Sequence, residues 1–309
     1  AQDRFDTALD ATLVLGPKMA LPENEVKAID QFLMQGKSVG FFLDAVHVDL
    51  RTFQATEAAH GLTALLASYG VTVGNQLVAD VSSGNISVSE RRNFMVINMP
   101  VPFPFIPVVK HMQGDSAISK GLSEVYFPFA TQVSVKAPEG ITAVTLASSS
   151  AKSWLESQPP NIDPRRDWRS ETITPTGPYS LMVQLSGKFK SHYSAQGAQS
   201  SSGTPVALEA QNEGRMVVVG SSSLAQDQFM NNRSNQALVL NIADWLVLDP
   251  AMLAMRNRNL TLAPIHPDVS DATRTAVKFG NALGVPLLLA IYGLARWRMR
   301  EARRSAIAV

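Results

Sequence analysis

The residues best placed for chemistry lie in RMVVVGSSSLAQDQF, residues 215–229, where an apolar run ends in Gly220, Ser221, Ser222 and Ser223 and Asp227 follows. A strand that ends in small polar residues leaves room for a ligand, and doubly wound folds bind ligands at the carboxyl ends of parallel strands. Asp44 closes a second apolar run and is expected at the same edge. Serine hydroxyls beside Asp44 and Asp227 would suit a hydrolase or a polar ligand crevice. The spacing does not reinforce either reading. There is no GxGxxG or P-loop pattern, no lysine opens a following helix, and no GxSxG elbow occurs. Small residues are also what a tight strand-to-loop turn needs, and a carboxylate such as Asp44 commonly satisfies loop amides.

Other reactive groups are dispersed. His47, His60, His111, His192 and His266 lack metal-ligand spacing, and the chain has no cysteine for a thiolate ligand, a nucleophile or a disulfide. No catalytic, cofactor-binding or metal residue is therefore nominated. The nominated group is a ligand or partner crevice of Asp44, Gly220, Ser221, Ser222 and Asp227. A second charged group, Asp163, Arg165, Arg166, Asp167 and Arg169, suits either a partner contact or a solvated ion-pair cluster.

The elements that must position these residues read as strand, helix, strand at the start. Ala11 to Leu15 is an apolar run stopped by Gly16-Pro17. Pro22 opens a helix with Glu23 and Glu25 in its first turn, Val26, Ile29, Phe32 and Leu33 on one face, and Gly36 as cap. Ser38 to Leu43 is a continuous apolar strand, the pattern of strands buried on both faces of a parallel sheet. A second helix is expected over Thr56 to Tyr69, with Leu62, Leu65 and Leu66 inward and Gly70 as its stop, then short strands over 71–73 and 76–81.

Between 84 and 112 a hairpin over Ile86 to Met95 leads into Pro100, Pro102, Pro104 and Pro107, which exclude a helix. Asp115 is placed to cap a short helix with Ile118 and Leu122. Strands are expected over 124–129, 132–136, 142–148, 179–185 and 215–219, and a helix over Asn235 to Leu246 with Leu238, Ile242 and Trp245 inward. The polar segments 157–177 and 191–214 read as mobile surface loops.

The chain has 309 residues, 45% hydrophobic and 17% charged, with a net charge of +1. That composition suits a globular protein and supplies no basic field for nucleic acid. Near the C-terminus, Val277 to Ala295 carries no charge after Lys278, and at 1.5 Å per residue it is long enough to cross a bilayer core. Tyr292 and Trp297 sit where an aromatic belt is expected. Arg296, Arg298, Arg300, Arg303 and Arg304 outweigh Arg274 and Lys278, which by the positive-inside rule puts the C-terminus in the cytoplasm. Gly280, Gly284 and Gly293 offer small faces for helix packing, the first two at GxxxG spacing. The expected organisation is an extracytoplasmic α/β domain over 1–272, β-rich at 84–190, a transmembrane helix over 273–298 and a basic tail over 299–309. An outward-facing domain needs an export element, so sequence before Ala1 is expected.

Several segments in order, VLGPKMALPENEVKAIDQFLMQGKSVGFFLD (14–44), FPFIPVVKHMQGDSAISKGLSEVYFPFA (103–130), GPYSLMVQLSGKF (177–189), RMVVVGSSSLAQDQFMNN (215–232) and NIADWLVLD (241–249), followed by the apolar helix, resemble the GldG-like family, the gliding-motility auxiliary component of ABC transporters. The resemblance implies an anchor in the bacterial cytoplasmic membrane and an α/β extracytoplasmic domain with a mostly parallel sheet and flanking helices, flavodoxin-like or class I glutamine-amidotransferase-like. It also implies an ABC permease and ATPase as partners, with no cofactor of its own, and a further membrane helix before the point where this chain begins. Two departures stand out. The family commonly has an acidic residue after the glycine of the VVVG strand, where this chain has Ser221 and Ser222. Glutaminase chemistry would need a cysteine, which is absent. The reading is a non-catalytic transporter subunit that binds cargo, an envelope component or a partner, with a membrane-anchored hydrolase or ligand-binding module as the alternative.

Overall fold

In the computed structural model, which describes residues 5, 6, 8–92, 95–113, 116–168, 173–196, 207–248, 252 and 271–305, the chain divides into two units, Ala1–Leu260 and Thr261–Val309. The first unit begins with β1 (Ala11–Leu15), α1 (Glu23–Met34) and β2 (Ser38–Phe42), the expected strand, helix, strand. The hairpin β3 (Val46–Asp49) and β4 (Gln54–Glu57) follows, then α2 (Thr63–Ser68), β5 (Val71–Asp80), β6 (Ser83–Arg92) and β7 (Met95–His111). Next come β8 (Ser123–Tyr126), β9 (Thr131–Val135), β10 (Ile141–Ser148), β11 (Ser153–Leu155), β12 (Ser180–Gly187) and β13 (Gly214–Val219), and the unit closes on α3 (Asp227–Met230) and α4 (Arg233–Val247).

The expected α/β class with a mostly parallel, flavodoxin-like or amidotransferase-like sheet is overturned. The largest sheet has the order β1-β2-β13-β12-β10, and only its first two pairings are parallel. The β13-β12 and β12-β10 pairings are antiparallel, as are all pairings in the three smaller sheets, β11-β5-β9, β3-β4 and β6-β7-β8. A continuous apolar run reports that both faces of a strand are covered; it carries no information on strand direction. Within such runs the period of two persists. Val39, Phe41, Met216 and Val218 join the cluster under α1 and α2, whereas Phe42, Val217 and Val219 join the cluster under α4. Antiparallel β12 is shared in the same way, Val183 and Leu185 on one side and Met182 on the other.

Two helical expectations are corrected. The helix proposed for Thr56 to Tyr69 is confined to α2, and Gln54–Glu57 is instead the second strand of a hairpin. Gly61, at φ +73°, takes a left-handed conformation that interrupts any helix, while Leu62, Leu65 and Leu66 are still buried. The short helix around Ile118 is a turn, with the Ser116 carbonyl accepting from the Ser119 amide at 3.1 Å; Asp115 lies outside the described residues. The two short strands after Gly70 are one strand, β5, whose register against β9 shifts between Val73 and Leu77.

The proline-punctuated stretch is also a strand. In β7 the pattern Pro102-Phe103-Pro104-Phe105 buries both phenylalanines, and alternation places the N–H groups that prolines lack on one edge of the strand. The 157–168 segment is held by Ile162, which is buried in the same cluster as Phe103 and Phe105.

Asp30 on α1 is fully buried and accepts from the Tyr69 hydroxyl (2.6 Å), the Ser191 hydroxyl (2.7 Å) and the His192 amide (2.8 Å). It ties α1 to the end of α2 and to the start of the 191–214 segment. Burial, with Asp30 beside it, holds the Tyr69 phenol well above its ordinary range.

The second unit contains one helix among its described residues, α5 (Asp271–Ser305), about 52 Å long at 1.5 Å per residue. Its stretch Thr275–Arg300 is long and apolar enough to cross a membrane by length and composition. Leu287, Leu288, Leu289 and Ile291 are exposed.

Asp30→Ala is expected to destabilise the first unit by about 3 kcal/mol, because four donors, the Gln31 side-chain amide included, lose a buried acceptor together. Urea unfolding followed by aromatic fluorescence measures it. A loss below about 1 kcal/mol would mean that water replaces the carboxylate at little cost.

Candidate functional site

The carboxyl ends of β2 and β13 lie side by side, with the Leu43 amide donating to the Val219 carbonyl at 2.9 Å. Asp44 and Ser222 follow at that edge. The Ser222 amide donates to Asp44 Oδ1 at 2.6 Å and its hydroxyl donates to Asp44 Oδ2, so one residue holds both carboxylate oxygens. Ser221 donates to the Pro128 carbonyl, and its own oxygen accepts from the Leu224 amide at 3.3 Å. Gly220 has a steric reason: a Cβ there would stand 2.2 Å from the Thr131 carbonyl oxygen, while the Thr131 amide donates to the Gly220 carbonyl at 2.7 Å. Gly16, at φ +48°, brings the loop after β1 so close that a Cβ would collide with Ser222.

The structure thus brings together Asp44, Gly220, Ser221 and Ser222 and fills the space around them with the protein's own loops. Asp227 is exposed at the start of α3, and no described hydrogen bond links it to the others. Burial raises the Asp44 carboxyl above its usual range, opposed by the two Ser222 hydrogen bonds and by His47. His47 Nδ1 lies 3.9 Å from Asp44 Oδ2, and its Nε2 is buried without a partner among the described residues. The order serine, carboxylate, imidazole differs from a catalytic triad, in which the imidazole contacts the hydroxyl. Its chemistry is that of a two-pronged clamp between strand ends.

A second concave site is open. A cavity of about 620 Å³ is walled by Pro102 and Pro104 of β7, Lys152 and Trp154 at β11, and Arg166 and Trp168 in the following segment, with Asp80 at the end of β5. The Trp154 and Trp168 rings stand 6.3 Å apart at 41°. Arg166 lies over the Trp168 ring at 3.8 Å and pairs at 2.7 Å with Glu156, a buried carboxylate that also accepts from Trp154 Nε1 at 3.4 Å. Asp80 is fully buried and accepts from the Ser82 amide (2.8 Å), the Ser150 amide (2.6 Å) and the Ser150 hydroxyl (2.6 Å). Of this group the sequence reading singled out only Arg166 and Asp167, as part of a charged loop; Arg169 lies outside the described residues. The overlooked signal was WLESQPPNIDPRRDW, two tryptophans flanking a proline-rich charged segment. Among the described residues no group of three or more His, Asp or Glu side chains comes together for a metal ion.

On α5, a Cβ added at Gly280, Gly284 or Gly293 would meet nothing within 4 Å; Gly280 and Gly284 share one face, and Gly293 lies on the opposite side of the helix. Arg296, Trp297, Arg298 and Arg300 follow on the same helix, which also spans positions 303 and 304.

A family model for the auxiliary component of an "ABC-type uncharacterized transport system" matches residues 1–245. No curated protein matches the chain. Among solved structures, one titled "mmIFT52 N-terminal domain" is similar at 16% identity and a TM-score of 0.44, covering 79% of this chain and 80% of that one. A likeness that loose carries no functional argument.

Two outcomes are expected at the clamp. Ser222→Ala should cost about 1–3 kcal/mol of stability by removing one donor to a buried carboxylate, measured by urea unfolding. Between its ordinary 3.8 and its raised folded value, Asp44 keeps a proton in the folded state that the unfolded chain has released. Its contribution to stability therefore falls as pH rises through that window. Asp44→Asn should flatten this part of the profile of urea midpoint against pH, and an unchanged slope would assign the dependence to another group.

Proposed function

The chain belongs to the auxiliary-component family of ABC-type transport systems, matched over residues 1–245, and from that premise we propose that it is a non-catalytic, membrane-anchored subunit of such a transporter. The observation that carries the reading is the succession of a family-matched unit and a helix, α5, whose apolar side chains are exposed. In this reading α5 crosses the bacterial cytoplasmic membrane beside an ABC permease. The arginines after the span put the C-terminus in the cytoplasm and the first unit outside. The outer unit engages cargo, an envelope component or a partner subunit. ATP hydrolysis belongs to a separate subunit, since the sequence has no Walker motif. Within the family, the order of segments noted above favours the GldG-like branch.

Several features support a non-catalytic role. The Ser222 hydroxyl is committed to Asp44, both groups are buried, and no imidazole contacts the serine oxygen among the described residues. Gly280 and Gly284 at GxxxG spacing provide a close-packing face for a permease helix.

Tagged protein extracted in mild detergent should co-purify with a permease and its ATPase in near-equal amounts, identified by mass spectrometry. Recovery of the protein alone from several detergents would overturn the assembly. Gly284→Leu should weaken that co-purification while leaving the melting of the outer unit unchanged. An alkaline-phosphatase fusion after Val309 should be inactive, and an active one would reverse the topology. A measurable turnover lost in Ser222→Ala, with folding intact, would favour the hydrolase reading instead.

A further inference from the structure

We propose that the cavity walled by Trp154, Trp168, Pro102 and Pro104 is a saccharide-binding site. The inference rests on the transport reading only in that an outward-facing unit meets envelope glycans; the binding itself is a property of this chain. At about 620 Å³ the cavity lies within the range of pockets that enclose a small molecule. Its lining includes two indoles inclined at 41° and two prolines, flat apolar surfaces of the kind on which the C–H face of a pyranose ring can lie, beside charged side chains.

The polar groups select among ligands that have such a face. Trp168 Nε1 is a buried donor with no partner among the described residues, and a ligand oxygen would satisfy it. Lys152 stands exposed at the rim with no described ion pair, a second donor. Asp80 is fully buried and its carboxylate is taken up by the Ser82 amide and by the Ser150 amide and hydroxyl, so it fixes the backbone behind the cavity wall.

Two other ligand classes fit less well. A quaternary ammonium would be repelled by Arg166 and Lys152, two cations on the cavity wall. An acyl chain would leave the Trp168 N–H unpaired. A neutral or acidic pyranoside meets the flat surfaces and the donors together.

The test uses the full chain in lipid nanodiscs, which avoids glycosidic detergents, titrated calorimetrically with cellobiose, chitobiose, digalacturonate and a decaproline peptide. At least one disaccharide should bind saturably with a Kd of about 1 mM or tighter. Trp168→Phe keeps the aromatic wall and removes the N–H, and should weaken that binding roughly fivefold to tenfold. Lys152→Ala, at an exposed position, should weaken it as well and most for digalacturonate; it carries the test if Trp168→Phe does not fold. The proposal is overturned if no disaccharide binds, if binding is the same in every folded variant, or if only decaproline saturates the site. Because no permease is present, failure here leaves the transporter assembly untouched, and failure of co-purification leaves this result standing.

Discussion

Burial of the β2 and β13 pair on both faces is the constraint around which the first unit is built. Each strand sends alternate residues into two separate clusters, Phe41 and Val218 toward α1 and α2, Phe42 and Val219 toward α4. Neither strand has a solvent-facing side, so every backbone polar group must be met by a neighbouring strand or by a loop at the strand end. At the carboxyl ends, where the ladder stops, Asp44, Ser221 and Ser222 take over this role. The region most suggestive of chemistry in the primary structure is thereby occupied with closing the core. Gly220 belongs to the same closure, since the Thr131 backbone occupies the space a side chain would need.

The contrast with the tryptophan-lined cavity is one of commitment. At the strand-end clamp the polar groups are matched to one another, and neighbouring loops cover them. Around the cavity, Glu156 and Asp80 hold their neighbours rigid, whereas the Trp168 N–H is left without a partner among the described residues. A pre-organised wall with an unspent donor is what a recognition site requires, because ordering costs are met before the ligand arrives. The aromatic and proline surfaces come from separate segments, Pro102 and Pro104 of β7, Trp154 of β11, and Trp168 and Pro175 beyond it.

The second unit obeys a different rule. In α5 the backbone polar groups are satisfied within the helix and apolar side chains such as Leu287, Leu288 and Ile291 are exposed, the condition under which lipid or another helix is a natural surrounding. The chain thus joins a unit matched to a transport-system family to a helix long and apolar enough to cross a membrane.

Local properties were legible from the residues themselves. Pro22 with Glu23 and Glu25 started α1, Gly36 ended it, Leu238, Ile242 and Trp245 marked the buried face of α4, and uninterrupted apolarity marked α5. Caps, periodicity and span length are short-range quantities, written in consecutive residues. The sheet class was misread because a strand covered on both faces has the same apolar run whether its neighbour is parallel or antiparallel. Gly61 cut a helix that the surrounding leucines favoured. Only the tertiary structure decided which groups met: it closed Asp44 onto Ser222, left Asp227 apart, and gathered Trp154, Trp168, Pro102 and Asp80 around one cavity. Those encounters follow from strand order and crossover, and no window of neighbouring residues contains them.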